Sequence, residues 1–226
     1  MKAAKGTQSA RKRVLIVDDH PLVRDGLAKV INQQADLVVC GKAADARGGL
    51  AALAQRQPDV VVVDLSLDDG NGLDLIKDIH SRQPRLPILV LSMHHENLYA
   101  ERTVRAGARG YVMKRDPVAK VIAALRKVLV GNMALSEEII RRLLEGTPGR
   151  NGEKSAAPQD LLSDRELEIF RLLGEGIGTR QIAAKLHVAA STVETHRRNI
   201  KQKLKLGTAT ELITAAARSR ADEARI

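Results

Sequence analysis

The chain has no tryptophan, one phenylalanine and two tyrosines. Its core must therefore be built from Val, Leu, Ile and Ala. Aromatic stacking platforms for single-stranded nucleic acid are essentially excluded. A single cysteine, Cys40, excludes an intramolecular disulfide and any zinc centre made of several thiolates. That usage fits a reducing, cytoplasmic compartment. No apolar run approaches the roughly 18 residues needed to span a bilayer, so no membrane-spanning segment is expected. The basic start, residues 1–13, lacks an apolar stretch and a cleavage site, which argues against a secretory signal. Neither G-x-x-x-x-G-K-[ST] nor G-x-G-x-x-G occurs, so enzymes of the P-loop or dinucleotide type are excluded.

Positive charge is in excess: the formal net charge is +10 over 226 residues. This favours a polyanionic partner without separating nucleic acid from a membrane surface. The excess is concentrated. Residues 176–205 hold seven basic side chains against one acid, Glu194. A phosphate-contacting face needs such a concentration, although a merely solvated surface gives the same composition.

Between residues 13 and 131, short β-branched runs alternate with longer amphipathic stretches. The runs are RVLIV (13–17), LVVCG (37–41), VVVVD (60–64), PILVLS (87–92) and GYVM (110–113). Their nearly continuous apolar character predicts strands buried on both faces. Helices are expected at about 21–32, 45–57, 72–83, 97–106 and 117–130, with Pro21 and Pro117 in first-turn positions. Gly48 and Gly49 weaken the second of these. Five strand–helix repeats predict an α/β domain with a five-stranded parallel sheet, and the flavodoxin-like order 2-1-3-4-5 is the commonest arrangement. A short helix is expected at 136–145, with Ser136 as its cap. Residues 146–160, rich in Gly, Pro and polar residues, read as an interdomain linker.

In such a sheet, ligands bind beyond the carboxyl ends of the strands, where the strand order reverses. The first strand ends in Asp18-Asp19 and the third in Asp64. Three carboxylates thus converge on one edge, a costly arrangement unless a hard cation such as Mg2+ or Mn2+ offsets it. The fourth strand ends in Ser92 and the fifth is followed by Lys114. A carboxylate nucleophile, a cation site, an ammonium and a hydroxyl together suit phosphoryl transfer to Asp64. Taken singly, each residue has a plainer reading. An Asp at a strand end is more often a helix cap than a nucleophile. A phosphatase of this general type would need a second Asp two residues after the first, and that position is Ser66. The adjacent His94 and His95 have no third ligand near them in sequence and read as surface loop residues.

The blocks VLIVDDHPLVRDGL, PDVVVVDLSLDDGNGLDLI, PILVLSMH and GARGYVMKRDP resemble, in order and spacing, the receiver domain of bacterial two-component response regulators, a CheY-like fold. The resemblance spans about residues 13–131. It implies Asp64 as phospho-acceptor, supplied by a sensor histidine kinase. It implies Mg2+ (or Mn2+) held by Asp18, Asp19 and Asp64, with the Ser66 carbonyl as a further ligand. Ser92 and Lys114 would contact the phosphoryl group, and Tyr111 occupies the aromatic switch position. The loop Ser66-Leu67-Asp68-Asp69-Gly70-Asn71-Gly72 departs from the family pattern, which more often has a proline and a hydrophobic residue there.

From Leu161 onward strand signals vanish. Ser163 and Glu166 form a capping-box pattern opening a helix to about residue 173. A short helix is expected at 179–186, a turn at 187–189, a longer helix at 190–204 and a last one from Thr208 or Thr210 to about 218. Two helices across a short turn, the second basic, fit a helix-turn-helix. Val193, Ile200 and Leu204 should face the core, leaving Glu194, Thr195, Arg197, Arg198, Lys201 and Gln202 outward.

LSDRELEIFRLLGEGIGTRQIAAKLHVAASTVETHRRNIKQKLKL resembles the LuxR-type DNA-binding domain, an all-α four-helix module, over about residues 161–220. Residue by residue, the resemblance places Glu194, Thr195 and Arg198 at base-reading positions. Arg180, Lys201, Lys203 and Thr192 become phosphate contacts, and Arg197 shares the basic face. One departure is Ala189-Ala190, where the family has a Ser or Thr cap. Ser191 with Glu194 offers a substitute capping box, which would tie Glu194 to the backbone. The two halves together resemble the NarL/FixJ class of response regulators. That implies a non-enzymatic regulator with a receiver at 13–131, a linker helix and linker at 132–160, and a DNA-binding domain at 161–220. Phosphorylation would drive homodimerisation and sequence-specific binding to double-stranded DNA, with the last helix as a dimer surface.

Overall fold

A computed structural model describes residues 10–67, 70–145 and 161–225; the expected linker at 146–160 lies outside them. The chain divides into two compact units, one ending at Ser136 and the other running from Glu137.

The first unit is a parallel five-stranded sheet of order β2-β1-β3-β4-β5. The strands are β1 (Lys12–Val17), β2 (Leu37–Ala43), β3 (Val60–Val63), β4 (Ile88–Ser92) and β5 (Gly110–Met113). The connecting helices are α1 (Pro21–Asn32), α2 (Ala46–Arg56), α3 (Gly72–Arg82), α4 (Glu96–Ala106) and α5 (Val118–Leu129). A two-residue pair, Ser66–Leu67 with Gly70–Asn71, decorates the loop after β3. Strand side chains alternate between faces. Val14, Ile16, Val60, Val62, Leu89, Leu91 and Val112 therefore share one side, where they pack with Leu27 and Ile31 of α1 and with Val121, Leu125 and Val128 of α5. β1 and β3 pair in register from Val14↔Val60 to Val17↔Val63, so both strands end at the same level. That alignment brings the acids beyond Val17 and Val63 together.

Two glycines earn their place by close approach. A Cβ on Gly49 would sit 3.0 Å from a Val17 methyl, so the glycine that weakens α2 lets it lie against β1. Asp45 caps that helix, accepting from Gly48 N at 2.6 Å. A Cβ on Gly72 would lie 2.1 Å from the Asp64 carbonyl oxygen. Only glycine lets α3 begin there, with its first N–H bonded to Leu65 O. Pro21 does lie in the first turn of α1. Pro117, expected inside α5, is instead its N-cap residue, because the chain is still extended there at ψ 138°.

The second unit is helical: α6 (Glu137–Glu145), α7 (Asp164–Gly174), α8 (Thr179–Lys185), α9 (Ala190–Lys203) and α10 (Ala209–Arg225). The capping box of α7 forms as expected: Ser163 accepts from Glu166 N, and Glu166 accepts from Ser163 N at 2.8 Å. His187 turns the chain between α8 and α9 in the left-handed region, φ 51°. The substitute capping box at Ser191 is not used. α9 starts at Ala190 behind Ala189, whose methyl offers no cap. The Ser191 carbonyl instead accepts from the Thr195 hydroxyl, and the Glu194 carboxylate is engaged elsewhere. Val193 and Ile200 are fully buried as expected, while Leu204, at the helix end, is half-buried. α10 outlasts the expected end at 218. It opens with Thr208 Oγ1 accepting from Glu211 N at 3.1 Å.

Candidate functional site

The carboxyl edge of the sheet brings together the residues the sequence nominated. Asp18 and Asp64 are buried at the ends of β1 and β3, and Ser92 is fully buried at the end of β4. β5 continues to pair with β4 beyond Met113, through Lys114 N to Ser92 O at 2.8 Å. This carries Lys114 to the edge, where its ammonium lies 2.7 Å from Asp64 Oδ2 and 2.8 Å from Asp18 Oδ2. Asp19 joins them: single ligand atoms of Asp18, Asp19, His20 and Asp64 all lie within 4.8 Å of one another. His20 was not foreseen. Its N–H binds Asp18 Oδ1 at 2.9 Å and its ring is bonded to Asp19. The signal was its place directly after the two acids. Arg24, also unforeseen, donates to the Asp18 carbonyl at 2.7 Å and ties α1 to the end of β1.

The electrostatics follow from this crowding. Burial raises the Asp64 pKa to about 6, Asp18 adds to the rise, and the Lys114 ammonium opposes it. For Lys114, burial alone would lower the pKa, but the facing Asp64 and Asp18 carboxylates outweigh it and the ammonium is held charged. Three carboxylates and one lysine share this edge, leaving two formal negative charges on a set of hard oxygen donors. Such a set fits a divalent cation of the Mg2+ or Mn2+ kind.

His94, expected as a plain loop residue, connects this site to its surroundings. Its ring nitrogen Nε2 lies 2.9 Å from Ser66 Oγ, and its N–H donates to Ser92 Oγ at 3.2 Å. Its carbonyl accepts from the Tyr111 hydroxyl at 2.8 Å, and its ring stacks on Tyr99 with centroids 4.9 Å apart. Tyr111 is buried. The backbone N–H of Ser66 reaches Asp64 Oδ1 at 3.3 Å. His95 caps α4. Among the described residues, the cluster around Asp64 is the one grouping with metal-ligating geometry, and neither His94 nor His95 belongs to it.

In the helical unit, α8 and α9 form a helix-turn-helix. Arg180, Thr192, Thr195 and Arg198 are exposed, and Lys201 is half-buried. Ser191, Glu194, Thr195, Arg197, Arg198 and Lys201 line one side of an open groove beside Ala209 and Leu212 of α10. Two nominated basic residues are committed within the protein. Lys203 Nζ pairs with the buried Glu166 at 2.6 Å. Arg197, expected to face outward, has a side chain only 16% exposed. It stands four residues after Val193 and three before Ile200, on the buried stripe of the helix, so periodicity alone could have found it.

A doubly wound sheet with a buried acid–lysine edge, in one chain with a helix-turn-helix, defines a two-domain response regulator. The response regulator receiver domain matches residues 14–126, and the luxR family of bacterial regulatory proteins matches residues 160–216. The chain belongs to the LuxR-type bacterial response regulators, transcription regulators with a receiver domain and a LuxR-type DNA-binding domain. It is 35% identical over 208 residues to the oxygen regulatory protein NreC of Staphylococcus carnosus, covering 90% of this chain and 96% of that protein. Among solved structures it resembles RcsB of Salmonella enterica serovar Typhimurium bound to promoter rprA with the phosphomimetic BeF3-. There the identity is 28%, the TM-score 0.65, and 92% of this chain and 98% of that one are covered. It also resembles a LuxR-family two-component response regulator from Aurantimonas sp. SI85-9A1, at 32% identity and TM-score 0.56, over 60% of this chain and 97% of that one.

Proposed function

We propose that the chain turns phosphorylation of Asp64 into sequence-specific binding of double-stranded DNA. The observation that carries this reading is the Lys114 ammonium, within 2.8 Å of both Asp18 and Asp64 at the buried edge of the sheet. An Asp64 carboxylate oxygen attacks the phosphorus of a phosphohistidine on a sensor kinase. The P–O bond forms, the P–N bond breaks, and the released imidazole takes up a proton. Asp18, Asp19, Asp64 and the Ser66 carbonyl would hold Mg2+ (or Mn2+), which supplies charge neutralisation for the phosphoryl oxygens. Lys114 neutralises further charge, and the Ser92 hydroxyl bonds the transferred group. Ser92 already touches His94 N, and His94 O holds Tyr111, so a change at Ser92 is passed to Tyr111 through one residue. A phosphoryl group shifts the equilibrium only through contacts that differ between two states, and this chain of bonds is such a contact.

The receiver occupies 13–131, the linker region 132–160 and the DNA-binding domain 161–220. Phosphorylation promotes a homodimer, and two copies bind paired half-sites, supplying affinity that one small module lacks. In the helix-turn-helix, Thr195 and Arg198 face the bases, while Arg180, Thr192 and Lys201 face phosphates. The setting is cytoplasmic; among the described residues no helix is long and apolar enough to cross a membrane. The test is labelling with a small acyl-phosphate donor and Mg2+, read by intact mass. The wild type gains one phosphoryl group and Asp64→Asn gains none; a labelled Asp64→Asn chain would move the acceptor elsewhere.

A further inference from the structure

Glu194 is the lone acid on the basic stretch 176–205, and its carboxylate is already bonded to two neighbours. Glu194 Oε1 accepts from the hydroxyl of Thr179, the first residue of α8, at 2.8 Å. It also accepts from Arg197 Nη1 at 2.9 Å. The same Arg197 nitrogen donates to Thr179 Oγ1, closing a three-residue ring across the two helices. Arg197 is largely buried while Glu194 remains more than half exposed. The ring therefore has a covered strut, Arg197, and an outer acid that neutralises it. A covered, neutralised guanidinium is a poor phosphate contact, and a carboxylate anchored through Oε1 to two donors is held against the helices rather than free to follow a base edge.

We infer that Thr179, Glu194 and Arg197 form a clasp fixing the angle between α8 and α9, and that Glu194 and Arg197 are positioning residues rather than readers of DNA. The clasp holds the exposed Thr195 and Arg198 in register with the bases. This inference rests on the DNA-binding reading above. An ion pair whose acid is exposed contributes little to the stability of the fold. The effect of the clasp therefore lies in orientation, and it discriminates between DNA sequences rather than between folded and unfolded chain.

The test uses the full chain. The wild type first selects duplexes from a random pool. Affinities are then measured for a selected and a shuffled duplex with Glu194→Ala, Thr179→Val, the double variant and Glu194→Gln. Glu194→Ala and Thr179→Val should each lower the ratio of selected to shuffled affinity by about two- to fivefold, the size of an exposed polar pair. Both should melt within about 5 °C of the wild type, since the acid of the pair is exposed. The double variant should lose no more than the larger single loss, because both changes break one ring. Glu194→Gln, which keeps an acceptor oxygen, should recover part of the ratio. Repeated selection with Glu194→Ala should return the same preferred bases. A changed preference at one base pair in Glu194→Ala, with Thr179→Val behaving as wild type, would overturn the clasp and make Glu194 a reader. A wild type that selects no sequence at all would instead overturn the DNA-binding reading, and the clasp with it.

Discussion

Replacing Gly72 by alanine puts the tightness of the acceptor loop to a direct test. The added Cβ would lie 2.1 Å from the Asp64 carbonyl oxygen and 2.6 Å from Leu65 Cα. Both atoms are backbone, so no rotamer change relieves the contact; the start of α3 or the end of β3 must retreat by about 1 Å. Overpacking against side chains costs about 1–3 kcal/mol, and a backbone clash belongs at the upper end. For a unit of this size about 3 kcal/mol lowers the melting temperature by roughly 10–15 °C. The displaced atoms belong to Asp64, the proposed phospho-acceptor, so its labelling by an acyl phosphate should slow as well. Gly26 in α1 is the control: a Cβ there meets nothing within 4 Å. Gly26→Ala should stabilise by about 0.5–1 kcal/mol, as alanine does in an open helix position, and leave labelling unchanged. Calorimetry of both variants, with a labelling time course, decides the matter. If Gly72→Ala melts and labels like the wild type, the close seating of α3 on Asp64 is wrong.

Lys114→Gln leaves Asp18 and Asp64 buried without their cation, and breaking such a pair costs about 3 kcal/mol or more. The loss should be largest in EDTA and partly recovered by millimolar Mg2+; a melting temperature indifferent to Mg2+ would contradict cation binding at this edge. For Glu166, burial raises the pKa, but bonds from Lys203 and Ser163 outweigh it, so the folded value lies below the usual one. The unfolded chain then binds the proton first, and the stabilisation is complete above about pH 4.5 and fades as the pH falls further. The melting-temperature gap between wild type and Glu166→Gln should therefore narrow steadily below that pH, and a gap constant with pH would refute the linkage. Arg198→Ala should weaken binding to a selected duplex by about 1–3 kcal/mol while changing binding to random DNA less. Equal losses on both, measured by titration, would make Arg198 a phosphate contact.

The five strands were legible because a parallel sheet covered on both faces demands unbroken β-branched runs, and Val60–Val63 is the plainest of them. The edge acids were legible for a related reason, since equal strand registers put Asp18 and Asp64 at one level. Tertiary contacts were not. Gly49 reads as a weak helix residue until Val17 is seen against it. His94 reads as a loop residue until Ser66 and Tyr111, both distant in sequence, and Tyr99 of the next helix converge on it. Arg197 lay on the buried stripe of α9 all along, but its charge outweighed its position in the reading. Its partner Thr179, on another helix, carries no local signal.

Both tyrosines of the chain, Tyr99 and Tyr111, lie in the first unit and adjoin His94, one through its ring and the other through its carbonyl. With no tryptophan anywhere, near-ultraviolet absorption and emission of the whole protein come almost wholly from this pair, while Phe170 leaves the helical unit nearly silent. An unlabelled sample thus carries its own optical probe of the surroundings of His94. A spectral change on adding a phosphodonor is confined by composition to the surroundings of His94, and a change in tyrosine emission on adding DNA, once absorption by the DNA is subtracted, would show that binding by the helical unit is felt there.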